Sequence, residues 1–198
     1  MSSVVIYIHG QGGNADEALH YKPLFKDCDV VGIEYSATTP WDAKDEFPKL
    51  YDSISKNYQS VILVANSIGA YFAMNALSNK TIEKAYFISP VVDMEKLIKD
   101  MMTWANVDET ELEEKGTIET DFGQTLSWEY LCFVRANPIK WNIPTQILYG
   151  DMDNLTSFET ISKFADETGS TLTIMKDGEH WFHTEEQMRF LDKWIEET

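Results

Sequence analysis

The chain has 198 residues, enough for one domain with a sizeable core, and its 43% hydrophobic and 25% charged content is that of a folded globular protein. Thirty-three acidic against 16 basic side chains give a formal charge of −17, which repels phosphate backbones and anionic bilayers. Nucleic acid and membrane are therefore excluded as expected partners, and neutral small molecules are favoured over polyanions. Two cysteines, Cys28 and Cys132, do not make a disulfide framework, form no C-x-x-C pair and read as buried thiols. The first apolar run is too short for a signal peptide, and no run has the length of a bilayer span, so the expected location is the cytoplasm.

Val4, Val5, Ile6, Tyr7 and Ile8 predict a strand buried on both faces. It breaks at His9-Gly10-Gln11-Gly12-Gly13-Asn14, where three glycines in four positions imply close backbone approach or unusual dihedrals. This is not a phosphate loop, because it has neither the Gly-Lys-Ser/Thr ending nor a G-x-G-x-x-G fingerprint. Helical pattern follows over 15–25, a short strand over 30–33, a loop over 36–40 and a helix over 42–57, with Pro48 leaving its first part open.

The stretch Val61-Ile62-Leu63-Val64-Ala65-Asn66-Ser67-Ile68-Gly69-Ala70 organises the rest. A buried strand ends at a serine flanked by small residues, and Ala70, Ala73, Ala76 and Leu77 continue at helical spacing. A serine at the tip of so tight a turn is pushed outward with its hydroxyl exposed. The residues two before and two after it must be small, and they are Ala65 and Gly69.

A fourth strand covers 85–88 and ends at Ser89-Pro90. Residues 93–140 then break the rhythm: locally acidic, without a long apolar run, they read as an insertion of short helices over one end of the sheet. Strands over 145–149 and 171–175, a helix within 154–167 and a terminal helix over 185–195 complete the chain. Alternating strands and helices predict a three-layer α/β/α sandwich around a mostly parallel six-stranded sheet, all in one domain of residues 1–198.

Ligands of open parallel sheets sit at the carboxyl ends of the strands. Four such ends carry His9-Gly10-Gln11-Gly12-Gly13, then Ser67, then Gly150-Asp151-Met152-Asp153, then Gly178-Glu179-His180-Trp181. A serine nucleophile needs a base, the base needs an acid that sets its tautomer, and the developing oxyanion needs preorganised N–H donors. All these residue types are present.

On these motifs the chain resembles a small serine hydrolase of the α/β-hydrolase superfamily. Ala-Asn-Ser-Ile-Gly stands where that family has G-x-S-x-G, and Ser67, Asp153 and His180 follow the family's chain order of nucleophile, acid and base. Gly150-Asp151-Met152-Asp153 resembles the family's Gly-x-x-Asp acid turn, and Gly178-Glu179-His180 its histidine loop. The glycine loop resembles its oxyanion loop, which implies backbone N–H donors at Gln11 and Ile68. No hairpin precedes Val4, so a six-stranded, trimmed version of that fold is expected.

Alternatives stay open. Asp151 and Asp93 compete with Asp153 as the acid, and His183 competes with His180 as the base. His9 reads as a brace of the glycine loop, and His20 as a surface or structural residue. The histidines have no metal-ligand spacing, and neither metal nor cofactor is expected. Asn66, Trp104, Trp128 and Trp181 are candidate substrate contacts. The expected reaction is hydrolysis of a small carboxylic ester; thioester or amide cleavage, or a binding module on the same fold, are the other readings.

Overall fold

A computed structural model describes residues 2–198. In chain order its strands are β1 (Ser3–Ile8), β2 (Cys28–Gly32), β3 (Ser60–Asn66), β4 (Lys84–Ile88), β5 (Thr117–Glu119), β6 (Thr125–Ser127), β7 (Thr145–Gly150) and β8 (Thr171–Met175). Its α-helices are α1 (Ala18–Tyr21), α2 (Pro40–Ser55), α3 (Ile68–Leu77), α4 (Met94–Trp104), α5 (Glu109–Lys115), α6 (Trp128–Ala136), α7 (Phe158–Thr168) and α8 (Glu185–Glu197). The chain divides into two compact units, one running to Val92 and resuming at Lys140, the other formed by Asp93–Ile139.

The first unit is built on a six-stranded sheet of order β2-β1-β3-β4-β7-β8, parallel throughout. From β1 the chain first moves outward to β2 and then returns across β1 to β3. The sheet therefore reverses direction between β1 and β3, where the carboxyl ends of neighbouring strands leave a crevice. Ile8 of β1 lies in register with Ala65 of β3, so the glycine loop and Ser67 leave the sheet side by side.

Alternation along the strands sorts the core into two layers. Val5, Tyr7, Val64, Tyr86, Ile88 and Leu148 face one way and pack with Ala18 and Tyr21 of α1 and with Leu191, Trp194 and Ile195 of α8. On the other face Phe47 of α2 meets Phe72 of α3 edge-on at 6.2 Å, and Phe87 of β4 meets Trp141 at 5.5 Å. α3 is buried from Gly69 to Met74, which explains its all-round apolar sequence.

The helix expected over 42–57 forms as α2 and continues past Pro48, whereas the helical pattern over 15–25 is realised only in part. Losing one backbone bond is offset by burial of Ala43, Phe47 and Tyr51 along one stripe, and by a start with Thr39 capping Asp42 N–H and Pro40 in the first turn. Over 15–25 there is only a 3₁₀ turn, Ala15–Glu17, and the single turn of α1. Pro23 stops it, because it has no N–H to donate to a carbonyl one turn back, although Lys22 before it still has helical dihedrals.

The Asp93–Ile139 unit holds α4, α5, an antiparallel pair β5–β6 and α6. The β5–β6 pair was not foreseen among short helices; three residues per strand are too few for a period to register. Asp93, Asp108 and Ser127 cap the three helices by accepting from the backbone N–H of Lys96, Glu111 and Tyr130. Cys132, on α6, is exposed, which corrects the expectation of two buried thiols. Cys28 is half-buried, and that burial raises its thiol pKa. No helix among the described residues is long and apolar enough to cross a membrane.

Candidate active site

Ser67 is the only residue between β3 and α3, with φ 48° and ψ −120°. A non-glycine residue in that region costs on the order of 1–3 kcal/mol and persists only where its surroundings hold it. They do: Ser67 N–H donates to Ile88 O (3.0 Å), and Ser67 O accepts from the N–H of Val91 and of Ala70 (3.2 Å each). Gly69 is dictated by close approach, since a Cβ there would lie 2.3 Å from His9 O. Ala65, in register with Ile8 and Phe87 and fully buried, shows that a methyl group fits where the family motif has its first glycine.

The other side chains arrive from two loops that touch. A Cβ on Gly150, at the end of β7, would lie 2.2 Å from Gly178 O, so the loop after β7 and the loop after β8 pack backbone to backbone. This contact sets Asp153 beside His180. The Asp153 side chain is closed to solvent; its Oδ1 accepts from the N–H of Leu155 (2.8 Å) and Thr156 (3.0 Å), and its Oδ2 accepts from His180 Nδ1 (2.7 Å). His180 Nε2 lies 2.8 Å from Ser67 Oγ. A carboxylate only accepts, so the proton between Asp153 and the ring sits on Nδ1 of the neutral imidazole and Nε2 faces the serine hydroxyl as an acceptor.

The competing residues are occupied elsewhere. Asp151 Oδ1 accepts from Asp177 N–H (2.6 Å) and braces the loop crossing. Asp93 caps α4. His183 donates from Nδ1 to Trp181 O (2.7 Å), and His20 pairs with Asp192 (2.7 Å). His9 does brace the glycine loop: Nδ1 donates to Gly10 O (2.8 Å), the ring stacks on Tyr35 at 4.2 Å, and Tyr35 Oη donates to His9 O (2.8 Å).

Ile68 opens α3, so its N–H has no carbonyl one turn back. Gln11 follows Gly10, whose Cβ, if present, would lie 3.3 Å from Ser67 Cβ. Trp181 is 73% exposed and stacks on His183 at 4.4 Å. Trp104 is exposed and meets Phe122 edge-on at 6.0 Å, while Trp128 is half-buried at the start of α6; both lie in the Asp93–Ile139 unit. Asn66 departs from the expectation of a substrate contact. Its Nδ2 donates to the hydroxyl of fully buried Tyr7 (2.9 Å), a bond inside the fold.

Two residues around this site escaped the sequence reading. Thr156 gives its N–H to Asp153 and takes the hydroxyl of Tyr149 on its carbonyl (2.9 Å). Tyr7 donates to Glu17, and burial raises its phenol pKa far above the ordinary value. The one visible signal was the phenol of Tyr7 inside the otherwise aliphatic run 4–8 of β1. Among the described residues no group of His, Cys, Asp and Glu is arranged to hold a metal ion.

No family model matches the sequence, and no curated relative matches it either. Solved structures do. The chain is similar to the esterase Est1E from Butyrivibrio proteoclasticus, with a TM-score of 0.82 and 15% identity over 99% of this chain and 86% of that one. It is similar to alpha/beta hydrolase domain-containing protein 10 from mouse, with a TM-score of 0.77 and 15% identity over 98% and 88%. The thioesterase domain from the curacin biosynthetic pathway follows with a TM-score of 0.62 and 15% identity over 99% and 91%. Likeness this complete at identity this low is likeness of architecture, and the chain has the α/β-hydrolase fold.

Proposed function

We propose that the protein is a serine hydrolase that cleaves a small, neutral carboxylic ester through an acyl-enzyme on Ser67. The observation that carries this reading is the unbroken chain from Ser67 Oγ to His180 Nε2 and from His180 Nδ1 to Asp153 Oδ2. His180 takes the hydroxyl proton as Ser67 Oγ attacks the ester carbonyl. The backbone N–H groups of Gln11 and Ile68 hold the oxyanion, and buried Asp153 stabilises the imidazolium. Collapse breaks the bond to the alcohol oxygen, which leaves with the proton from His180. Water, deprotonated by the same nitrogen, then attacks the acyl carbon; the acid departs and the proton returns to Ser67. The charge of −17 favours uncharged substrates, and exposed Trp181, next to His180 in the chain, offers an aromatic surface for an acyl or alkoxy group.

The test is covalent labelling by a fluorophosphonate together with turnover of p-nitrophenyl esters of graded chain length. Wild-type protein is expected to label on Ser67. Ser67→Ala is expected to label not at all and to lose on the order of 10³-fold or more in kcat/KM. Full activity in Ser67→Ala, or a wild type inert to the probe, as a binding module would be, overturns the reading. Matched ester, thioester and amide substrates then rank the scissile bond.

A further inference from the structure

Behind Ser67, on the α1 and α8 side of the sheet, runs a second polar chain. Asn66, the residue before Ser67, donates from Nδ2 to Tyr7 Oη at 2.9 Å. Tyr7 Oη in turn donates to the Glu17 carboxylate. The direction is forced, because the carboxylate can only accept; the phenol must give it the proton and so must accept from Asn66. A chain that ends on a charged acceptor polarises each bond along it.

Its two ends are attached to different parts of the site. Asn66 is joined by one peptide bond to Ser67 and by two to Ile68. Glu17 closes the 3₁₀ turn that continues the glycine loop, with Asn14 capping that turn through Asp16 N–H (2.9 Å). The carboxylate also lies against the loop itself: a Cβ on Gly13 would sit 2.6 Å from Glu17 Oε1. At its other end the loop rests on Ser67 through Gly10 and on α3 through the Gly69–His9 contact. The segment from His9 to Glu17 is thus pinned at both ends, and Gln11 lies between the pins.

We infer that Tyr7 and Glu17 are positioning residues that fix the separation of the two oxyanion donors, Gln11 N–H on the glycine loop and Ile68 N–H at the elbow. This inference rests on the serine-hydrolase reading. Neither side chain touches substrate. Tyr7 supplies a rigid, fully buried post on β1, and Glu17 ties the loop to it. A hydroxyl on Tyr7 has no packing advantage over the bare ring at a buried site, so its presence is accounted for by the two bonds it makes.

The experiment compares wild type, Tyr7→Phe, Glu17→Ala and the double variant for p-nitrophenyl ester turnover and for the rate of fluorophosphonate labelling, since both pass through a charge held by the two amides. Loss of a whole donor costs on the order of 10²–10³ in kcat, so displacement of one is expected to cost about tenfold to a hundredfold. The loss should fall on kcat with KM within about twofold. The midpoint of the pH–rate profile should not move, because the His180–Asp153 bond is untouched. The double variant should lose no more than the worse single variant, as members of one chain do. Glu17, exposed to solvent, carries the decision if Tyr7→Phe does not fold. Single variants within twofold of wild type, a loss confined to KM, a shifted pH midpoint or additive losses overturn the inference while the hydrolase reading stands. A wild type that the probe does not label overturns both.

Discussion

The sheet unit and the Asp93–Ile139 unit differ in how they treat left-handed backbone. In the Asp93–Ile139 unit the positive-φ positions are Asn106, Gly116 and Gly123, residues that adopt that conformation at little cost. The sheet unit has such positions too, at Gly12, Gly169 and Asp177, but in addition Ser67 and Ser89 carry φ 48° and 45° at the ends of adjacent strands, without the relief a glycine would give. At Ser67 that strain sits on a residue whose Oγ lies 2.8 Å from His180 Nε2, and under the proposed hydrolase reading it holds the nucleophile at the tip of its turn. The units also differ in what holds them. The sheet unit buries long aliphatic runs, whereas the smaller unit combines a few buried residues with caps and ion pairs: Arg135 bridges Glu95 and Glu109, and Lys99 pairs with Glu95.

The largest effect should come from exchanging backbone chemistry at the elbow. Ser67→Gly is expected to abolish turnover, by on the order of 10³-fold, while raising stability by about 1 kcal/mol as the Cβ strain is released. Asn106→Gly, at φ 53°, should change stability by no more than a few tenths of a kcal/mol. Thermal melts of the two variants check the contrast; equal responses would erase it.

A smaller effect tests whether the units open separately. Leu131 is fully buried on α6, and Leu131→Ala is expected to cost about 2–4 kcal/mol. Hydrogen exchange should quicken across residues 93–139 while the amides of β1 and β3 keep their protection. Exchange that rises equally in both would show one cooperative body in place of two.

The smallest effect concerns the exposed ion pairs. Hydrogen bonds from Lys99 and then Arg135 hold the Glu95 pKa below the ordinary value of 4.5, and Arg135 does the same for Glu109. A depressed carboxylate pKa stabilises the fold above the unfolded value, and this contribution is lost as pH falls through the folded one. Arg135→Gln should therefore lower Tm by about 2 °C or less at neutral pH and low salt. The difference should shrink with added salt and vanish as pH drops below 4.5 through the depressed values. A deficit that persists in strong acid would assign Arg135 a packing role.

What could be read from residues alone was whatever short-range physics controls. Apolar runs of five or so residues make buried strands wherever they sit, and shorter β-branched segments mark the half-exposed edge strands β2 and β8, so the six strands of the sheet were legible, and so was Ser67 at the tip of its turn. The chain order of Ser67, Asp153 and His180 came from a family pattern, and their meeting depended on the rest of the molecule. Asp151 and Asp153 are chemically identical and two positions apart; only the packing of Gly150 on Gly178 turns one toward His180 and the other toward Asp177 N–H. Asn66 read as a substrate contact because nothing local announces that Tyr7, 59 positions earlier, stands beside it. The β5–β6 pair was invisible because three-residue strands carry no period. Composition and periodicity determine which segments are strand, turn or helix, since those depend on neighbours along the chain. Which carboxylate, which ring nitrogen and which hydroxyl come within 3 Å of one another is decided by the order in which strands are laid into the sheet, and local sequence holds no record of that order.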